Sequence, residues 1–285
     1  MGGVSTTVAT PLAQASGSRS QRRLGPLAVA RSRPAPVAVL VVLAGLAWWL
    51  TANQMAGMDA GPGTDLGTLG WFVGVWVVMM AAMMFPSVSP TVALYARMTR
   101  RRGLDRPLLF AGAYLLVWAT VGLAAYGVFR AGSGWLGTEL AWNAGGRWLA
   151  AAVLAVAALY EITPLKSVCL AKCRSPLGFL LGRWRDGRAG ALSMGARHAA
   201  WCVGCCWAVM AALFALGVMS LWWMALVAVL ITIEKTLPWR RVATWGSAAV
   251  LLILAVAVLA APNDVPGLVV PGGTHSAMPA MGAMR

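Results

Sequence analysis

The sequence predicts an all-α protein, a polytopic helical membrane bundle of about seven transmembrane helices. Three observations carry that reading: a deficit of charge, a succession of apolar runs of spanning length, and a one-sided distribution of basic residues. Of the 285 residues 60% are hydrophobic and 11% are charged, whereas a soluble domain carries about a quarter charged residues. Apolar runs fall at about 35–52, 69–96, 107–129, 147–165, 197–217, 219–234 and 242–261. A helix of about 20 residues crosses a hydrocarbon core of about 30 Å, so all but the short sixth run approach or exceed that length. The runs lack the alternation of barrel strands, and a single helix satisfies its own backbone groups in lipid.

Laid along an alternating topology, 20 of the 23 Lys and Arg residues fall on one side, and only Arg130, Arg147 and Arg285 on the other. Basic residues accumulate on the cytoplasmic side of membrane proteins. The split therefore predicts a cytosolic N-terminus and an outer C-terminus. It also accounts for the formal charge of +15 without nucleic acid as a partner.

The elements follow in order. Residues 1–34 are rich in Ser, Ala, Pro and Arg without an apolar period, and read as a disordered basic cytosolic tail. The transmembrane domain is expected over 35–261. Its first run follows arginines as a signal peptide would, but "TANQMAG" after it is a poor small-residue cleavage site, so the run reads as a span. The fifth and sixth runs form one apolar stretch in which "LGVMS" (216–220) is the place to turn. Residues 262–285 read as a flexible, Met-rich extracytoplasmic tail.

Five cysteines carry the strongest chemical signal: Cys169, Cys173, Cys202, Cys205 and Cys206. The topology places the first two in a flexible basic connection after the fourth span, and the other three at the cytosolic end of the fifth. The cytosol is reducing, so structural disulfides are not expected there. Free thiols are soft ligands suited to Cu(I), Zn(II) or iron–sulfur clusters. On a helix Cys202 shares a face with Cys205 and Cys206, with His198 one turn before and Met210 one turn after. The alternative for any single cysteine is that of a small hydrophobe in a membrane core. Five at one membrane face, as CxxxC and CxxCC, favour a shared thiol site.

Methionines form the second pattern. "VVMMAAMMFPSVSP" places Met79, Met80, Met83 and Met84 near the middle of the second span as two i,i+4 pairs. Thioethers select monovalent copper, although a Met stripe at helical spacing is more often packing. Pro86 and Pro90 are expected to break or kink the helix just beyond and to free carbonyl groups there. A third set lies outside the bundle: Met55 and Met58 after the first span, and His275, Met278, Met281 and Met284 in the C-terminal tail. These suit outer metal capture, against the alternative of a biased disordered tail.

Among charged residues at span ends, Glu161 has Lys166 nearby and Glu234 has Lys235. A proton-coupling or metal-facing role is one reading. Interfacial residues reaching into headgroups are the other, and the sequence slightly favours it. No Ser–His–Asp set, phosphate loop or carboxylate cluster is present, and two histidines do not suit bis-His haem ligation.

The stretches "VVMMAAMMFPSVSP" (77–90), "PLKSVCLAKCRSP" (164–176), "CVGCCWAVMAALFALGVMSLWWM" (202–224) and "EKTLP" (234–238) together resemble a bacterial family described as predicted metal-binding integral membrane proteins. The resemblance implies a multi-pass protein of the bacterial plasma membrane and metal binding at the five cysteines. It supplies no activity. The sequence thus leads to a membrane protein with the lipid bilayer and a soft metal ion as partners. Cu(I) is favoured with Zn(II) as the alternative, and a metallochaperone or metalloenzyme is the protein to exchange it with. Ligand softness rises toward the cytosol, which suits inward delivery. Two other classes are expected to compete with this non-enzymatic reading: a membrane thiol oxidoreductase, and a scaffold or assembly factor without transport.

Overall fold

A computed structural model of the chain describes residues 34–55, 66–99, 105–136, 142–182, 184–218, 220–265 and 268. Residues 1–33 of the expected tail, Met58, and the 275–284 His and Met residues lie outside them, while Pro34 opens the first helix. Among the described residues the fold is all-helical. The helices are α1 (Pro34–Met55), α2 (Leu69–Met98), α3 (Asp105–Leu136), α4 (Arg147–Glu161), α5 (Pro164–Cys173), α6 (Pro176–Gly182), α7 (Gly187–Leu216), α8 (Leu221–Thr236) and α9 (Arg240–Ala260). A single π turn, Trp142–Gly146, leads into α4.

Five of these helices (α1, α2, α3, α7 and α9) are long and apolar enough to cross a membrane, and the bent pair α4–α5 brings the number to six. The remaining expected span, α8, has 16 residues. At 1.5 Å per residue that is about 24 Å, short of the hydrocarbon thickness. Large apolar side chains point outward on several helices, among them Leu116, Val128, Trp222, Trp245 and Ile253. An apolar exterior on this scale is what a bilayer-embedded bundle presents and what a soluble surface avoids.

The interior forms around α2 and α7. From Met79 to Phe85 every residue of α2 is buried, and a helix apolar and covered on all sides is an inner helix. α1, α3 and α8 pack against α2, while α3, α4 and α5 pack against α7 and α9 packs on α4. Close helix approach depends on small residues, as expected where dispersion rather than water drives association. A Cβ at Gly195 of α7 would lie 2.2 Å from the Phe110 carbonyl oxygen of α3.

Four expectations are corrected. The fifth run does not begin at 197: α7 starts at Gly187, because "GRAGALSMGA" is too mixed to read as a span yet is built largely of helix formers. The fourth run is not one straight helix, since α4 and α5 meet at a 68° bend. Thr163 makes the bend by capping α5, accepting from the Lys166 N–H at 3.3 Å, and Pro164 occupies the first position of the new helix. The residues "CLAKC" are therefore helical and not a flexible connection.

Pro86 and Pro90, finally, do not break α2, which runs unbroken to Met98. Pro90 cannot donate to the Pro86 carbonyl, and the Ser89 hydroxyl donates to it instead at 2.9 Å.

Candidate metal centre

α7 carries Cys202, Cys205 and Cys206 on one face, because residues three and four apart on a helix are neighbours. All three are 1% exposed, and all five cysteines are free thiols. The three Sγ atoms lie within 4.8 Å of one another. Cys205 Sγ is 3.3 Å from Cys206 Sγ. It is also 3.7 Å from Cys173 Sγ at the end of α5, which supplies a fourth sulfur. Three sulfurs bound to one ion at about 2.3 Å sit about 4 Å apart, so this spacing fits a shared soft metal.

The depth differs from expectation. Cys202 is the sixteenth of the thirty residues of α7, not a residue at the mouth of a span. Arg197 is the last charge on that helix, and Cys202 lies five residues, about 7.5 Å, beyond it. The thiols are thus inside the apolar part of the bundle.

The bend between α4 and α5 places Cys169 as well as Cys173 against α7. Cys169 Sγ occupies the space that a side chain at position 204 would need, since a Cβ on Gly204 would lie 2.7 Å from it. The Tyr160 hydroxyl donates to the Gly204 carbonyl beside it. Cys169 is outside the compact three-thiol group. Gly204→Ala is expected to push α5 away from α7. Overpacking a filled core costs about 1–3 kcal/mol, and the loss will be read as a lower unfolding temperature in detergent.

Among the described residues, charged and hydroxyl side chains meet the sulfur of Cys202 and of no other cysteine. Lys235 of α8 donates from Nζ to Cys202 Sγ at 3.0 Å and to Ser87 Oγ of α2 at 3.3 Å. The Tyr114 hydroxyl of α3 is 3.0 Å from the same sulfur. A thiolate at this position has its counter-ion in place. The sequence reading missed Tyr114, Ser87 and Gly204. Gly204 alone had a visible signal, a glycine between helix-facing thiols, because small residues mark close helix approach.

A second polar cluster uses the other charged residues. Lys166 of α5 is completely buried and forms ion pairs with Glu161 of α4 and, at 2.7 Å, with Glu234 of α8. Both carboxylates are 2% exposed. The headgroup reading of these residues is thereby overturned: they are interior groups joined through one lysine. Nor does Lys235 pair with Glu234, since it turns to Cys202. Arg174, just past α5, donates to the backbone carbonyls of Glu234 and Leu237 and secures the end of α8.

The remaining candidates are more dispersed. His198 is buried among Phe110, Tyr114 and Phe179, in ring contact with each, and lies outside the three-thiol group. Its Nδ1 has no hydrogen-bond partner among the described residues. Met79, Met80, Met83, Met84 and Met210 are all buried, and Met55 is buried at the end of α1.

A compact set of buried thiols within a helical bundle is a place for a soft metal, and residues 73–258 match the family model PpoB2, described as a copper chaperone. The chain belongs to the PpoB2 copper chaperone family. The matched region contains all four stretches on which the metal-protein resemblance rested, every described thiol and both polar clusters. It ends before the Met-rich tail and begins after the basic N-terminal segment. No curated protein and no solved structure matches the chain.

Proposed function

We propose that this PpoB2 protein is a multi-pass protein of the bacterial plasma membrane that carries Cu(I) as cargo. It has seven spans counting α8, with a cytosolic N-terminus. Two of the thiolates of Cys202, Cys205 and Cys206 hold the ion at a time. The remaining one and Cys173 act as entering ligands when the ion moves to or from a metallochaperone or metalloenzyme. The observation that carries the reading is the group of three buried Sγ atoms within 4.8 Å, joined by the Cys173 sulfur at 3.7 Å.

Charge favours Cu(I) over Zn(II). Two thiolates and Cu(I) carry −1, which Lys235 at Cys202 neutralises. Zinc in a structural site takes four ligands, and four thiolates with Zn(II) and Lys235 leave −1 inside an apolar bundle, where uncompensated charge is costly. Met79, Met80, Met83 and Met84, buried at mid-length of α2, supply the thioether stretch of a path across the membrane. Ligands softening from thioether to thiolate suit delivery toward the thiols.

The test is metal retention by protein purified without oxygen and loaded with Cu(I) or Zn(II), in the presence of a competing chelator. One Cu(I) per chain is expected to survive gel filtration and to pass to a thiol-containing acceptor protein, while Zn(II) is stripped. Retention of zinc in preference to copper would overturn the choice of ion. A disulfide that cycles with quinone under thiol trapping, without bound metal, would replace the carrier by the oxidoreductase.

A further inference from the structure

Among the described residues no hydrogen bond or ion pair joins the Glu161–Lys166–Glu234 cluster to a thiol, and the copper chemistry above leaves it without a role. Two carboxylates share one ammonium, all at 0–2% exposure. One oxygen of each carboxylate, Oε1 in both, is buried without a hydrogen-bond partner. Buried acceptors without donors are rare and costly, and a proton on either carboxyl would turn one such acceptor into a donor.

The charged groups on the surrounding helices are few. α4 contributes only Glu161 here. α5 contributes Lys166, while Lys172 is exposed. α8 contributes Glu234 and Lys235, and Lys235 is directed to Cys202 and Ser87. Arg174 reaches only backbone carbonyls of the α8 end. On α7, Arg197 is the nearest charge in sequence and precedes the thiols, and His198 sits in its aromatic cage.

With all thiols protonated, Glu161, Glu234, Lys166 and Lys235 sum to zero. Loading Cu(I) on two thiolates adds a net −1, which Lys235 neutralises, and the carboxylate cluster is then left at −1 in an apolar interior. Uncompensated buried charge of this kind is relieved by taking up a proton.

We propose that the Glu161–Lys166–Glu234 cluster is a proton-binding site that takes up a proton when copper is loaded. The inference rests on the copper reading above. In balance, Cu(I) and two thiols with two ionised carboxylates give a copper bis-thiolate, a carboxylate pair sharing one proton, and one proton released. Loading therefore exchanges one Cu(I) for one proton with no change in buried charge. Glu234 and Lys235, adjacent on α8, make the link: one faces the carboxylate cluster and the other the thiol site.

Infrared difference spectroscopy of the full-length protein in lipid, copper-loaded minus apo, tests this with copper content measured on the same samples. Wild type is expected to gain the C=O stretch of a protonated carboxyl on loading. Glu161→Gln and Glu234→Gln each leave one carboxylate paired with Lys166. They are expected to bind copper one to one and to lose that band. Copper bound by wild type with no carboxyl band, or a band that persists in both variants, would overturn the proton site alone. Failure of the wild type to bind copper would overturn the copper reading and the exchange together.

Discussion

Lys166→Met is expected to be the most destabilising single substitution in the bundle. The ammonium is fully buried and pairs with Glu161 on α4 and Glu234 on α8, while its own backbone belongs to α5. Its removal leaves two carboxylates facing each other in an apolar interior without a cation. Removing one partner of a buried ion pair costs about 3–5 kcal/mol, because the remaining charge is uncompensated. Thermal unfolding in detergent should show a large drop in midpoint. A control separates charge from packing: E161Q/K166M/E234Q leaves no charge in the cluster and should recover most of the loss, since replacing a complete buried network is often near neutral. If Lys166→Met unfolds with wild type, or the triple variant is as unstable as the single, the cluster does not hold α4, α5 and α8 together by charge.

How the fold and the site read from sequence differs by element, for physical reasons. The long apolar helices were plain, because about 20 uncharged residues in succession admit few other structures. The thiols were equally plain as a set, since spacing of three and four residues fixes a shared helical face whatever surrounds it. Their depth was not, because the first third of α7 mixes Gly, Ala, Arg and Ser with apolar residues and gives no clear start to a span, although the helix extends to Gly187. The α4–α5 bend has a local signal in the sequence: Thr163–Pro164 is a cap followed by proline at the first helical position.

The charged pairs failed instructively. Sequence adjacency suggested Glu234 with Lys235, yet neighbours on a helix point about 100° apart and cannot face one cluster. Lys235 instead reaches Cys202, and Glu234 finds Lys166 sixty-eight residues earlier in the chain. Long-range pairs of this kind depend on which helices pack together, which no local pattern reports. Tyr114 and Ser87 belong to the same class: ordinary core residues in sequence, placed beside Cys202 and Lys235 by the packing of α3 and α2.

Replacing Cys202, Cys205 and Cys206 together by serine is expected to abolish Cu(I) retention, and the single variants should rank in an order set by geometry. Serine keeps the volume but offers a hard oxygen that binds monovalent copper poorly. Cys205 contacts both Cys206 and Cys173 through sulfur, so Cys205→Ser removes the ligand common to both pairs. It should weaken Cu(I) affinity by at least 100-fold, a loss of about 2.8 kcal/mol on the usual scale of tenfold per 1.4 kcal/mol. Cys202→Ser removes the thiolate that faces Lys235 and should weaken affinity to a similar extent. Cys173→Ser leaves all three α7 thiols in place. It should therefore retain copper at equilibrium while slowing its transfer to an acceptor, which stopped-flow transfer to a coloured chelator would resolve. Cys169 packs against Gly204 outside the group, so Cys169→Ser should leave both affinity and transfer rate near wild type. Equal Cu(I) retention by wild type and the triple variant would remove the thiols from the mechanism. Equal loss from Cys169→Ser and Cys205→Ser would show that burial of sulfur in general, and not the three-thiol geometry, governs binding.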